Sequence, residues 1–106
     1  MIIRIEESPV KYKRFRVTVN TAQGQQKFDF GLKGGSTFID GESEAVRQAY
    51  LKRHLGNATE ERLIKNLVPS PALFSAFLLW GQYRSINNNI RYLNNMWHKN
   101  LNTSNV

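Results

Sequence analysis

Residues that could carry out catalysis are few in this 106-residue chain, and their spacing does not suit an active site. His54 and His98 are the two histidines, and neither has a second metal ligand at ligand spacing. The segment 34–37 (GGST) is rich in glycine but lacks the lysine and the glycine spacing of a phosphate-binding loop. The absence of cysteine excludes thiolate metal sites and cysteine nucleophiles. We therefore predict a non-enzymatic protein with no catalytic residues, no metal site and no cofactor.

A basic cluster on the first predicted hairpin is a more specific signal. The 15 Lys and Arg against 8 Asp and Glu give a net charge of +7, which attracts nucleic acid, anionic lipid or an acidic protein surface. The alternative is that the charge only maintains solubility. Basic sheet faces with aromatic side chains bind single-stranded nucleic acid in several small domains. The residues predicted to contact nucleic acid or an acidic partner are Lys11, Tyr12, Lys13, Arg14, Arg16 and Lys27.

The same strands determine what this cluster can recognise. Apolar and polar residues alternate from residue 13 to 20 and again from 28 to 32, which predicts two strands joined by a turn at 21–24. An earlier strand has Ile3 and Ile5 on its apolar side. The alternation turns most aromatic residues inward, so Tyr12 is the one candidate for stacking. Phosphate contact is therefore supported, and base readout is not.

Helices are predicted to follow this three-stranded antiparallel meander. Asp40 or Ser43 can cap a helix whose packed face holds Val46, Ala49, Tyr50 and Arg53. The nearby acidic residues could bind a cation, but acidic residues are also favoured where a helix starts. A short second helix follows, over about 58–67. The predicted fold class is α+β, with a meander of about three strands packed against three to four short helices.

The stretch 70–81 (SPALFSAFLLWG) predicts an apolar helix capped by Ser70 and ended by Gly81. It is too short to span a bilayer, which needs about 20 apolar residues, so we expect no membrane span. We predict a core helix with Leu73, Phe77 and Trp80 beneath the sheet, and a cost of about 3–5 kcal/mol for Phe77→Ala. The alternative is a helix shared between the core and a protein partner. The sheet face above it is predicted to consist of Phe15, Val17, Phe28 and Phe30.

The last predicted helix carries a long apolar stripe. Two apolar helices competing for one small sheet should leave one partly exposed, and exposed apolar stripes mark interfaces. The alternative is that this helix packs within the domain. We attribute the many asparagines of its polar face to the codon bias of an A+T-rich genome. We predict one domain over 1–97 and an Asn-rich tail over 98–106, of which residues 100–106 should fray in an isolated monomer. The predicted protein-interface residues are Ile86, Ile90, Tyr92, Leu93, Met96 and Trp97.

A series of motifs resembles a family of small proteins encoded by the nucleocytoplasmic large DNA viruses of algae and protists. The motifs are FDFGLKGGSTFID (28–40), YLKRHLGNATEERLIKNLVPSPALFSAFLLWG (50–81) and INNNIRYLNNMW (86–97). This chain departs from the family pattern at 41–44, where more basic residues are expected. The resemblance implies a virion structural protein, located in the virion, the infected-cell cytoplasm or the virus factory.

Three functions follow as expectations. The first is a minor capsid component that bridges larger viral capsid proteins, which would be its partners. The second is a basic nucleic-acid-binding protein associated with the viral genome. The third is a regulator of a host protein. No small-molecule substrate is expected for any of them.

Overall fold

The computed structural model describes residues 1–104, and the side chains of residues 1–100. It confirms the predicted α+β class. Three antiparallel strands lie in the order β1 (Ile2–Glu7), β2 (Lys13–Thr21), β3 (Gly24–Leu32). A 3₁₀ turn at Phe38–Asp40 precedes α1 (Glu44–Leu55), α2 (Ala58–Lys65) and α3 (Pro71–Phe74). A π-helix at Ser75–Leu79 continues α3, and α4 (Ile86–Ser104) follows. No helix in this described part of the chain is long and apolar enough to cross a membrane.

The sheet has the predicted meander, but a bulge changes which residues of β1 face inward. Val17 pairs with Phe28 and Phe15 with Phe30, so the apolar positions of β2 and β3 share one face. The register between β1 and β2 shifts between Ile2 and Arg4. As a result Ile2 is buried and Ile3 is 51% exposed, so the predicted inward position of Ile3 is wrong. An extra residue at a bulge inverts the alternation, which periodicity alone does not reveal.

The core lies between the inner sheet face and the helix pair formed by α3 and α4. Phe74 is fully buried, and its ring packs against Phe28 (5.4 Å between centroids), Phe30 (5.8 Å) and, edge-on, Trp97 (6.3 Å). The buried apolar cluster comprises Ile2, Val17, Val19, Phe30, Phe38, Leu67, Leu73, Phe74, Leu78, Leu79, Trp80 and Leu93. The stretch 70–81 is therefore a core element, as predicted.

A π-helix changes which residues of that stretch are buried. Ser70 caps α3 by accepting a hydrogen bond from the Leu73 backbone N–H, as predicted. The Trp80 backbone N–H then donates to the Ser75 carbonyl, five residues back. The wider turn leaves Phe77 only half-buried, so its predicted place beneath the sheet is wrong, while Leu73 and Trp80 are buried as predicted. The central core aromatic is Phe74.

A glycine is needed at position 81 because no side chain fits there, and not because the backbone is left-handed. A Cβ at this position would overlap the Phe77 carbonyl oxygen and lie 2.8 Å from the Asn89 side chain. Gly81 follows the end of the helix as predicted, and its φ angle is not in the left-handed region.

The packed face of α1 lies one residue away from the predicted one. Ser43, one of the two predicted caps, accepts a hydrogen bond from the Val46 N–H. Val46 and Ala49 are exposed, whereas Arg47, Tyr50, Leu51 and His54 face the domain. The Arg47 guanidinium donates to the carbonyls of residues 80 and 81 at 2.9 and 3.1 Å. Because the partly buried Arg47 lies on the inner face of α1, the apolar periodicity of the sequence does not identify that face.

The loop before α1 is held by Asp40 and Arg84. Asp40 accepts hydrogen bonds from the backbone and hydroxyl of Thr37 at 2.9 and 2.8 Å, which stabilises the 3₁₀ turn. Arg84 lies over the Phe38 ring, 4.1 Å from its centroid, and donates to the carbonyls of Phe38 and Glu42 at 3.0 Å each. The backbone of residues 37–42 is thereby anchored to the segment that precedes α4.

The apolar stripe of α4 faces the domain's own core. Leu93 is fully buried, and Ile86, Ile90, Met96 and Trp97 pack against the same cluster. The Trp97 indole N–H donates to the Leu67 carbonyl at 2.8 Å. The expectation of an exposed stripe is therefore wrong, because α3 and its π-helix continuation cover the sheet from one side and leave room for α4 to pack beside them. This is the arrangement of the alternative interpretation.

The C-terminal part of α4 overlaps the predicted tail. The helix continues through Ser104, so most of the predicted 98–106 tail is helical. The side chains after residue 100, and residues 105–106, lie outside the described part of the chain. Fraying of this segment stays a prediction.

Two asparagines of α4 have structural roles that codon bias does not explain. Asn89 is 1% exposed, donates to the carbonyls of Leu78 and Tyr83, and accepts from the Tyr83 N–H. Asn94 accepts a hydrogen bond from the Ile2 N–H at 2.8 Å and donates to the Ile2 carbonyl at 3.1 Å. Two residues of the asparagine run therefore form specific hydrogen bonds with backbone groups elsewhere in the domain.

Candidate binding groove

A groove of about 550 Å³ opens between the end of the β2–β3 hairpin and the C-terminal half of α1. One wall is the start of β2 and the end of β3, the other is α1, and the π-helix lies at the bottom. The loop 35–37 also contributes to the lining. We call this the binding groove. Its lining residues are Tyr12, Lys13, Gly31, Leu32, Gly35, Ser36, Thr37, Tyr50, Arg53, His54, Glu60, Pro71, Ala72, Ser75, Leu79 and Trp80.

A stack of three aromatic rings forms the α1 side of the groove. Tyr50 lies parallel to Trp80, with centroids 4.5 Å apart and an interplanar angle of 11°. The His54 ring contacts the other side of Tyr50 at 4.2 Å. Burial raises the pKa of the Tyr50 hydroxyl above its ordinary value. The π-helix brings Ser75 and Trp80 to the same surface, and such helices are frequent at functional sites.

Lys13 and Arg53 give the groove its positive charge, and its one described acidic lining residue is Glu60. The Glu60 carboxylate is paired with Nδ1 of His54, and this contact joins α1 to α2. Arg53 lies over the Tyr50 ring, 5.9 Å from its centroid. Lys13 and Arg53 stand on opposite walls and are both exposed. The groove therefore offers cations on both sides of an aromatic surface.

Tyr12 is held at the mouth of the groove in an unusual backbone conformation. Its φ angle is +72°, a left-handed value that costs a non-glycine residue roughly 1–2 kcal/mol. Its carbonyl accepts from the Lys33 N–H at 2.9 Å, and the Lys13 N–H donates to Val10 at 3.1 Å. The side chain is 65% exposed, with the Lys11 ammonium 5.2 Å from the ring centroid. An aromatic ring is thus presented to solvent beside the cations.

Arg14 and Arg16, which were predicted to contact a partner, are engaged inside the domain. Arg14 makes two hydrogen bonds of 2.6 Å to Asp40. Arg16 binds Asp29 at 3.0 and 3.1 Å. Hydrogen bonds from Arg14 and Thr37 hold the pKa of Asp40 well below its ordinary value. Both guanidinium groups are paired with a carboxylate in a forked geometry that leaves them little capacity for phosphate.

The predicted basic set therefore divides into three parts. Tyr12 and Lys13 line the groove, and Lys11 is exposed next to them. Arg14 and Arg16 are paired with Asp40 and Asp29 inside the domain. Lys27 is exposed opposite Thr18, on the outer sheet face and away from the groove lining.

Sequence reasoning missed the α1 contribution to the groove. Tyr50, Arg53 and His54 have the i, i+3, i+4 spacing that places side chains on one side of a helix, so a signal was present. It was masked by the expectation that the helix packs through Val46 and Ala49. No three metal-ligating side chains come together in the described part of the chain.

A second surface contains one of the predicted interface residues. Tyr92 stacks on Phe77 with centroids 6.3 Å apart and meets Tyr83 edge-on at 6.2 Å. Tyr83 and Tyr92 are 41% and 36% exposed, and Arg91 borders the same shallow cavity. We call these four residues the aromatic face. The other predicted interface residues contribute to the core instead.

Comparison with known proteins finds one likeness. Residues 3–54 match the model of a family of unknown function (DUF5754), which is just under half of the chain. The matched range contains the sheet and nearly all of α1, and hence both walls of the groove, but not the π-helix. No curated protein and no solved structure matches. The family description states no function and mentions no virus, so the viral resemblance stays a prediction.

Proposed function

We propose that the protein is a non-enzymatic nucleic-acid-binding protein and that the binding groove is its contact site. The observation that carries the proposal is the combination of exposed cations on two walls with an exposed aromatic ring at the mouth of the groove. Lys13 and Arg53 supply the charge, and Tyr12 supplies the ring. Positively charged grooves with aromatic side chains suit a phosphate backbone and its bases.

The distribution of paired charge supports the same function. Asp29 on β3 and Asp40 in the loop before α1 are each paired with an arginine of β2. These carboxylates are therefore partly neutralised where a polyanion would approach. The net charge of +7 remains available for long-range attraction.

The salt dependence of binding to a fluorescent oligothymidylate tests this proposal. Each lost phosphate contact should reduce the slope of log K against log salt by about 0.7 for a single strand. We expect that reduction for Lys13→Gln and for Arg53→Gln. Lys65→Gln is the matched control, since Lys65 is exposed on α2 outside the groove and pairs with Glu61. Absence of oligonucleotide binding at low salt would refute the proposal.

A second candidate function is that of a minor capsid component that bridges larger capsid proteins, as the viral resemblance implies. The aromatic face favours it, since exposed tyrosine and arginine are the residues enriched at protein interface hot spots. Such binding would depend only weakly on salt, in contrast to phosphate contact. The test is the double variant Tyr83→Ser, Tyr92→Ser, which should fold and yet fail to enter virus particles. Normal incorporation would count against this candidate.

A further inference from the structure

The conformation of Tyr12 indicates more than a general attraction to polyanions. A left-handed residue in a turn is ordinarily glycine or asparagine, because other side chains are strained there. Tyr12 is neither, and its ring is 65% exposed, so burial of the ring does not compensate for the strain. An observed backbone outlier of this kind is a reason to look for function at the residue.

The surroundings of Tyr12 define what could use the ring. Lys13 follows it on the same wall, Lys11 lies above the ring, and Arg53 stands on the other wall. A flat π-surface with cations on two sides matches one base and the phosphates that flank it. The bases of a duplex are already stacked and paired, so they cannot present a free face to a ring inside a concave groove. An unpaired base can.

We propose that the groove binds single-stranded nucleic acid and that an unpaired base stacks on the ring of Tyr12. This inference rests on the proposed function and adds the strand type and the contact. Stacking accepts any base, since every base has a π-face, so binding is tolerant of sequence.

Two substitutions at Tyr12 separate stacking from folding. Tyr12→Phe keeps the ring, and we expect its affinity for a short single strand to stay within about twofold of the original. Tyr12→Asn removes the ring but suits the left-handed conformation, so the turn is retained. We expect it to bind the strand about tenfold more weakly, with thermal stability unchanged or raised. A hairpin duplex with the same number of phosphates should bind more weakly than the strand to the original protein.

The outcomes distinguish this inference from the function on which it rests. Equal binding of strand and duplex, with no effect of Tyr12→Asn but a loss in Lys13→Gln, would overturn the stacking inference and keep nucleic-acid binding. Polyglutamate that displaces the strand at equal charge concentration would overturn the inference in favour of an acidic protein partner. No binding of any of the three probes would overturn the proposed function itself.

Discussion

Asn89 closes the turn between the π-helix and α4 through hydrogen bonds to Leu78 and Tyr83. Its buried amide satisfies backbone groups that would otherwise lie unpaired next to Gly81, where no side chain fits. A buried donor or acceptor that loses its partner costs roughly 1–3 kcal/mol. One polar residue therefore determines how the core helix passes into α4.

We expect Asn89→Ala to lower the free energy of unfolding by at least about 2 kcal/mol, because three backbone hydrogen bonds are lost in a buried site. Urea unfolding measures this. Asn87→Ala is the control on the same helix. It replaces an exposed residue with a better helix former and should change stability by less than about 0.5 kcal/mol in either direction. Equal effects in the two variants would contradict the role of Asn89.

The Arg14–Asp40 pair predicts acid sensitivity. The pKa of Asp40 is lower in the folded protein than in the unfolded chain, so its stabilising contribution is present above about pH 4. It is lost as pH falls through the lowered folded pKa. Unfolding free energies at about pH 7, 4 and 2.5 should therefore decline. Asp40→Asn and Arg14→Met should both flatten that decline, and an unchanged pH dependence in either variant would be evidence against this pair.

Among the elements, the π-helix decides which aromatic ring supports the sheet. By placing the Trp80 N–H on the Ser75 carbonyl, it rotates the second half of the stretch and turns Phe77 away from the strands. Phe74 remains beneath Phe28 and Phe30, while Phe77 joins Tyr92. The two phenylalanines are three residues apart and serve different surfaces.

Phe74→Ala should cost about 3–5 kcal/mol, the usual range for a fully buried aromatic side chain. Phe77→Ala should cost only about 1–2 kcal/mol, because less apolar area leaves a buried environment. Chemical denaturation of both variants measures the difference. If the Phe77 variant were as unstable as the Phe74 variant, the result would contradict the π-helix and support the straight α-helix that the sequence pattern predicts.

The elements also show what the sequence could and could not predict. Strand alternation and local caps such as Ser43 and Ser70 depend on neighbouring residues, so the meander and most helix starts were predictable. The bulge at Ile3 and the π-helix each shift the register by one residue, and hydrophobic periodicity cannot detect such shifts. Arg47 on the inner side of α1 was missed because its partners are carbonyls distant in sequence.

For the candidate site, the hairpin half was predictable and the α1 half was not. Local charge identified Tyr12 and Lys13. Whether an arginine is exposed or paired depends on Asp29 and Asp40, which lie 13 and 26 residues from Arg16 and Arg14. The division of the basic cluster therefore required the tertiary structure.

At the scale of the whole molecule, α4 closes the domain. Met96 and Trp97 pack on the core, and the Trp97 indole satisfies the Leu67 carbonyl where the chain leaves α2. We expect deletion of residues 95–106 to abolish cooperative thermal unfolding monitored by circular dichroism. Tyr92→Ser, on the exposed side of the helix, should retain a cooperative transition. If the truncated chain stayed folded, the result would indicate that α4 is an interface helix that the core does not need.

The hydrogen bonds between Ile2 and Asn94 have a consequence for how the chain folds during synthesis. Strand β1 is synthesised before α4, and the asparagine that pairs with Ile2 at the outer edge of the strand follows 92 residues later. Until that asparagine is synthesised, the backbone N–H and carbonyl of Ile2 lie unpaired at the strand edge and can pair with another chain. The nascent protein therefore passes through a stage with an open β-edge. The contact between β1 and α4 can form only after residue 94 has been synthesised, so we expect translation that stalls before it to release a fragment more prone to aggregation.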